Sequence, residues 1–345
     1  MSTPRCPHCR NFAFLDWLRC ERCDGELGYH YPSMQFVGID DDGTEFGDER
    51  WYKCSSRGWG CPWLVREGAG SGQCFSCRLT RRKPDASDTI AMEKLAETEV
   101  AKRRLVVQLL QLGLPIEGWN DREGGLGFDL LSSRSSGERV TIGHANGIIT
   151  IDLAETLDEV RETLRVKLGE PYRTMLGHLR HEVGHYYDFR LIPEGPQRGA
   201  YRALFGDERS SYRDALDRHY RLGAPEGWRD GFISEYATMH PWEDFAESFA
   251  HYLHITGTLA TASAAGLRLD HGVTGMRDTD IEPLFDYHDQ SVQRLLDDWK
   301  WLSLVFNRVN RSMGMRDLYP FELNAAVRRK LEFVHKLVGR VSATA

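Results

Sequence analysis

All eight cysteines of this 345-residue chain, Cys6, Cys9, Cys20, Cys23, Cys54, Cys61, Cys74 and Cys77, precede residue 78, and the rest of the chain has none. Cys6-x2-Cys9 and Cys20-x2-Cys23 are two knuckles with ten residues between them. Two such pairs at close spacing supply the four thiolates of a tetrahedral zinc site. Cys54, Cys61, Cys74 and Cys77 make a second, less regular set, with six residues inside its first pair and a normal C-x2-C at its end. His8 could replace a cysteine, but four thiolates already close the first site. A closed four-cysteine shell has no open position, so both zinc ions are expected to be structural. Disulfides are the alternative, and they need an oxidising compartment. The N-terminal MSTPRCPHCR has no apolar stretch of the secretory kind, so the expected location is the cytoplasm. No apolar run approaches the roughly 20 residues that span a bilayer, so no membrane association is expected.

The cysteines also divide the chain. A module over 1–83 has short segments rich in Gly, Cys and aromatic residues, and at that size it needs metals to fold. Pro84 and Asp85 mark a break, and 84–345 is expected to be a second domain. From Asp88 to Leu112, Ile90, Leu95, Val100, Leu105, Val106, Leu109 and Leu110 recur at helical spacing until Gly113 and Pro115. LGFDLLSS, RVTIGHA and IITIDLA then read as strands, the last two joined by the hairpin dipeptide Asn146-Gly147. A helix is expected from Pro171 through HLRHEVGHYYDF, a short one around SSYRDALDRHY, and another over Trp242 to Ile255. The C-terminal third reads as helical, with EPLFDYHDQSVQRLLDDWKWLSLVFNRVNR its clearest element. The expected fold class is therefore α+β.

Within the helix expected from Pro171 lies HEVGH, which matches H-E-x-x-H. On a helix, His181 and His185 share one face, so both imidazoles can bind a single zinc ion. Glu182 falls beside them, placed to take a proton from water at the metal. A catalytic zinc needs a third protein ligand and an open position. SEYATMHPWEDFAESFAHYLH offers His240, Glu243, Asp244 and Glu247. Pro241 suits a helix start, and Glu243 and Glu247 then share a face, so one could bind the metal while the other orients a zinc-bound histidine. His178 could approach the same metal but is read as packed or solvated, as are His240, His251 and His254.

A helical glutamate ligand downstream of HEVGH resembles the gluzincin class of metallopeptidases. Tyr236, with six residues between it and Glu243 and three more between Glu243 and Glu247, gives a Tyr-x6-Glu-x3-Glu arrangement that resembles the catalytic domain of anthrax lethal factor. The resemblance implies that His181, His185 and Glu243 are the zinc ligands and Glu182 the general base. It makes Tyr236 the donor to the transition state and Glu247 a carboxylate that supports a ligand histidine, with Asp188 a candidate for the same work. More of the chain is covered by a second likeness. The order of zinc ribbon, CRLTRRKPD, HEVGHYYDF, HPWEDFAESFAHYLH and NRSMGMRDLYPF is similar to a family of zinc-binding bacterial metallopeptidases with an N-terminal zinc ribbon. It implies a zincin-like domain after a double zinc ribbon, one catalytic and two structural zinc ions, and an intracellular bacterial origin.

The expected function is hydrolysis of peptide bonds in a protein or peptide. One rival is a non-enzymatic regulator whose ribbons bind protein or nucleic acid, with the zincin domain as scaffold; the presence of Glu182 speaks against it. Another is hydrolysis of a non-peptide amide. Trp51, Trp59 and Trp63 with Arg78, Arg81, Arg82 and Lys83 could read as a nucleic-acid patch. The plainer reading makes the tryptophans a small core and the basic run a solvated linker. A net charge of −7 also argues against nucleic acid, and a protein partner at the ribbons fits a peptidase better.

Overall fold

The computed structural model describes residues 4–156, 174–275 and 279–342. The expected helix start at Pro171 lies outside them. Within the described residues the chain forms two compact units. One holds the chain up to residue 156 except Leu112–Leu114, and the other holds Leu112–Leu114 with the chain from residue 174. The break expected at Pro84 therefore falls inside the first unit.

In the first unit, β1 (Leu27–His30) and β2 (Gln35–Gly38) form an antiparallel hairpin. β3 (Thr44–Phe46), β4 (Glu49–Lys53) and β5 (Leu64–Arg66) form an antiparallel sheet of three. Trp51 and Leu64 pack with Ile39 in a small core, and Trp63 is wholly buried. Trp59 is not part of it: the ring is exposed, with the Lys83 ammonium 5.5 Å from its centre. The core expected of three tryptophans thus has two, because Trp59 sits on a single 3-10 turn, Arg57–Trp59, that buries no residue.

The basic run is also not a solvated linker. Thr80–Arg82 is strand β6, parallel to β7 (Gly127–Leu131), and Arg81 forms a two-point ion pair with Asp129 on that neighbour. β7 pairs in parallel with β9 (Ile148–Asp152), and β8 (Gly143–Ala145) pairs antiparallel with β9. The β8–β9 turn is Asn146-Gly147 with both φ angles positive, +47° and +84°, as a tight hairpin requires. Helix α1 (Thr89–Gln111) turns Leu95, Leu105, Val106 and Leu109 inward, as its periodicity demands. Its Lys102 is buried too, where it donates to Glu99 at 2.9 Å and to the Thr80 hydroxyl.

The second unit is helical: α2 (Met175–Leu191), α3 (Pro196–Phe205), α4 (Tyr212–Leu222), α5 (Pro241–Ala264), α6 (Val292–Ser312) and α7 (Ala325–Ser342). α2 starts at Thr174, whose hydroxyl accepts from the Gly177 amide. α5 outruns the expected Ile255 by nine residues, because Leu259 and Ala262 continue its buried stripe. α6 begins only at Val292, with Ser291 as its cap, so Glu282–Gln290 are not helical as expected. α2 and α5 lie face to face, and the approach at Gly184 is tight: a Cβ built there would lie 2.8 Å from the Ala246 Cα. α7 crosses α5 and sends Lys330 to Asp244 Oδ2 at 2.6 Å and to the Gly231 carbonyl at 2.7 Å. This buried pair fixes the first turn of α5. The whole is α+β, with a cysteine-rich N-terminal part and a helical C-terminal part.

Candidate metal centre

The two cysteine sets are each gathered to a point. In both, the four sulfurs lie within 4.8 Å of one another, and all eight cysteines are free thiols. Cys6 and Cys23 are 3.6 Å apart, as are Cys9 and Cys20, and Cys61 lies 3.7 Å from both Cys74 and Cys77. A tetrahedron with zinc–sulfur bonds of about 2.3 Å has edges of about 3.8 Å, so the spacing fits the ion. Amides add to the second set, the Cys74 and Ser56 N–H groups donating to Cys54 Sγ.

A third cluster joins α2 to α5. His181 Nε2 is 2.9 Å and His185 Nε2 3.4 Å from Glu243 Oε2, and the three residues can offer ligand atoms within 4.8 Å of one another. Two imidazoles and a carboxylate are donors that suit zinc. The helical repeat aligns the histidines, and the tight Gly184–Ala246 contact brings the carboxylate to them. Burial works against the charge on Glu243, but both imidazoles outweigh it and hold the carboxyl well below its usual range. For His181, burial is likewise opposed by the bonds to Glu243 and Glu247, and the net result is a pKa well above the ordinary value.

Around this cluster the structure places the other predicted residues unevenly. Glu247 Oε1 is 2.7 Å from His181 Nδ1, on the ring edge opposite Glu243. Glu182 is buried, with Oε1 3.2 Å from His178 Nε2 and Oε2 without a hydrogen-bond partner. Burial disfavours its charge, but the His178 bond and the nearby His185 and His181 outweigh it and lower its pKa. Tyr236 stands on a 3-10 turn, Tyr236–Thr238, with its ring 5.8 Å from that of His181. Burial, then Glu243 and Tyr212 close by, push its phenol well up, so it keeps its proton. Asp188 is spent elsewhere: its Oδ1 receives Arg198 Nη1 at 2.8 Å, and the same guanidinium caps the Ile192 carbonyl at the end of α2. His240 is the cap of α5, accepting from the Trp242 amide, with its other nitrogen at Ser210. His251 contacts Tyr319, and His254 contacts Arg180.

Three neighbours escaped the sequence reading. His178, taken as packed or solvated, touches Glu182; its position four residues earlier on the same helix was the available signal. Ser234 donates to Glu247 Oε2 at 2.6 Å and accepts from the Ala237 amide, tying the Tyr236 turn to α5. Tyr212 donates to Glu243 Oε1 at 2.9 Å from 31 residues away, and no local pattern announces that contact.

Residues 4–88 match a zinc-ribbon domain family, and residues 91–337 match the family described as "Putative zinc-binding metallo-peptidase". Uncharacterized proteins of Mycobacterium tuberculosis H37Rv and of Mycobacterium bovis are each 44% identical to this chain over 342 residues, covering 98% of it and 95% of each relative. No solved structure matches the chain. No described helix is long and apolar enough to cross a membrane. With a match over most of its length, preceded by the ribbon match, the chain belongs to this zinc-binding metallopeptidase family and carries an N-terminal zinc ribbon.

Proposed function

We propose that the chain is a gluzincin-like zinc metallopeptidase that hydrolyses peptide bonds of an intracellular protein or peptide, with His181, His185 and Glu243 holding the catalytic zinc. The observation that carries this reading is the convergence of those three donors beside a buried Glu182 whose Oε2 has no partner. A buried carboxylate oxygen without a donor is costly unless something fills the space, and a water at the metal would do so. When bound, zinc supplies Lewis acidity that makes water a nucleophile near neutral pH.

The protein's own groups do the rest. Glu182 Oε2 accepts the proton of the attacking water and returns it to the leaving amine nitrogen, so water and an amide become an acid and an amine. Tyr236 donates to the carbonyl oxygen as negative charge develops on it. Glu247 accepts from His181 Nδ1, which fixes the tautomer and turns the Nε2 lone pair toward the centre. We take 1–83 as a ribbon module with two structural zinc ions, open to a protein partner, and 84–345 as the catalytic domain. The two family matches meet between residues 88 and 91, which supports that division. We place the reaction in the cytoplasm.

Replacing the base while sparing the ligands tests the reading. Glu182→Gln should retain the zinc of the wild type and lose hydrolysis of a protein or peptide substrate. Hydrolysis at the wild-type rate by a zinc-loaded Glu182→Gln protein contradicts it.

A further inference from the structure

The two oxygens of Glu243 have different surroundings. Oε2 faces His181 Nε2 and His185 Nε2, where the donor atoms converge. Oε1 accepts a hydrogen bond from the Tyr212 hydroxyl at 2.9 Å. Glu243 is only 2% exposed, so bulk water is not a ready substitute for that phenol.

Tyr212 is well placed to hold its aim. It is the first residue of α4, immediately after Ser211, whose hydroxyl caps the helix by accepting from the Asp214 amide. Its ring packs edge-on against His240 at 5.2 Å and lies 6.2 Å from Trp242, and both residues belong to the start of α5, which also carries Glu243. The ring contacts and the hydrogen bond thus fix α4 to the turn of α5 that presents the carboxylate. A phenol with two rotatable bonds held by packing loses little freedom in making this bond.

An unrestrained carboxylate can bind a metal through one oxygen or both. An oxygen already engaged by an O–H donor is a poorer ligand, and a carboxylate pinned at one end cannot rotate to present both equally. We propose that Tyr212 is a positioning residue that holds Glu243 as a single-oxygen ligand and so keeps a coordination position open for water. A second glutamate oxygen in that position would compete with the nucleophile. This inference rests on the assignment of His181, His185 and Glu243 as ligands.

The test is Tyr212→Phe in the full chain, which removes the hydroxyl and leaves the ring contacts. Zinc affinity of the third site is measured by chelator competition. The visible spectrum is then recorded with cobalt at that site and zinc kept in the two cysteine sites. Four-coordinate cobalt absorbs more strongly than five-coordinate cobalt, so coordination number is read directly. The wild type should show the strong bands. Tyr212→Phe should bind the ion about 10–100-fold more weakly and show weakened bands, as an added carboxylate oxygen produces. Equal affinity and an unchanged spectrum overturn the role of Tyr212 and leave the ligand assignment standing. A wild type that takes up no ion beyond the cysteine sites overturns the assignment, and this inference with it.

Discussion

Gly184→Ala is a substitution whose sign depends on the packing of α2 against α5. Gly184 is helical and buried, so alanine propensity alone favours the variant by about 1 kcal/mol. The new Cβ would lie 2.8 Å from the Ala246 Cα, 3.1 Å from its carbonyl oxygen and 3.3 Å from its Cβ. Carbon atoms pack without strain at about 3.5–4.0 Å, so the helices must part by about 0.7 Å or more. Two of the three obstructing atoms are backbone, which no rotamer change relieves. Overpacking of this kind costs about 1–3 kcal/mol, so the net expectation is a loss of up to about 2 kcal/mol. The metal should be affected more, because His185 is the next residue and Glu243 lies on the same stretch of α5 as Ala246. We expect urea unfolding of the metal-free variant to shift to lower denaturant, and chelator competition to show at least about a 10-fold loss in zinc affinity. Adding Ala246→Gly should restore only part of both, since the Cα obstruction remains. A Gly184→Ala protein that is more stable than the wild type, with unchanged zinc affinity, would show that the helix contact is compliant and does not set the position of Glu243.

Glu243→Ala should empty or greatly weaken the third metal site, while Glu247→Ala should weaken it by about 10–100-fold, as loss of a carboxylate behind a ligand histidine does; the reverse order in a metal titration would exchange their roles. Tyr236→Phe should lower kcat by about 10²–10³ with zinc content and melting temperature nearly unchanged, whereas a full-rate variant with a lowered melting temperature would make Tyr236 a packing residue. His251 gives a pH prediction. Burial lowers its pKa to about 4, against about 6.5 when unfolded, so the folded state requires it neutral. Its contribution is complete above pH 6.5 and is lost as pH falls toward 4, up to about 3 kcal/mol for the metal-free protein. His251→Gln should flatten that part of the stability–pH curve, and an unaltered slope between wild type and variant would refute the assignment.

Local periodicity made several features readable. The C-x2-C pairs, the Asn146-Gly147 hairpin and the shared faces of His181 with His185 and Glu243 with Glu247 all follow from spacings of four residues or fewer, and the two cysteine sets from the recurrence of cysteine pairs nearby. The structure brings His181, His185 and Glu243 together because α2 and α5 approach closely at Gly184. What escaped notice depends on contacts between distant segments. Tyr212 meets Glu243, and Ser234 fastens the Tyr236 turn to Glu247, through chain folding that no window of sequence displays. Thr80–Arg82 read as linker because its partner strand starts at Gly127, and only pairing with that strand makes it β-structure. Asp188 had the right spacing to serve a histidine but is held by Arg198 from the next helix. The late start of α6 follows from Ser291, whose hydroxyl caps the Arg294 amide and sets the helix end against an apolar pattern that continues upstream.

Counting metal separates a chain with a catalytic zinc from one with structural zinc alone. Purified, reduced full-length protein should hold three zinc ions per chain, two in the four-cysteine sets and one at His181, His185 and Glu243. Glu243→Ala should hold about two, with the cysteine sites still filled. Two zinc ions in the folded wild type, unchanged by Glu243→Ala and not raised by added zinc, would contradict the assignment of a catalytic metal to this chain.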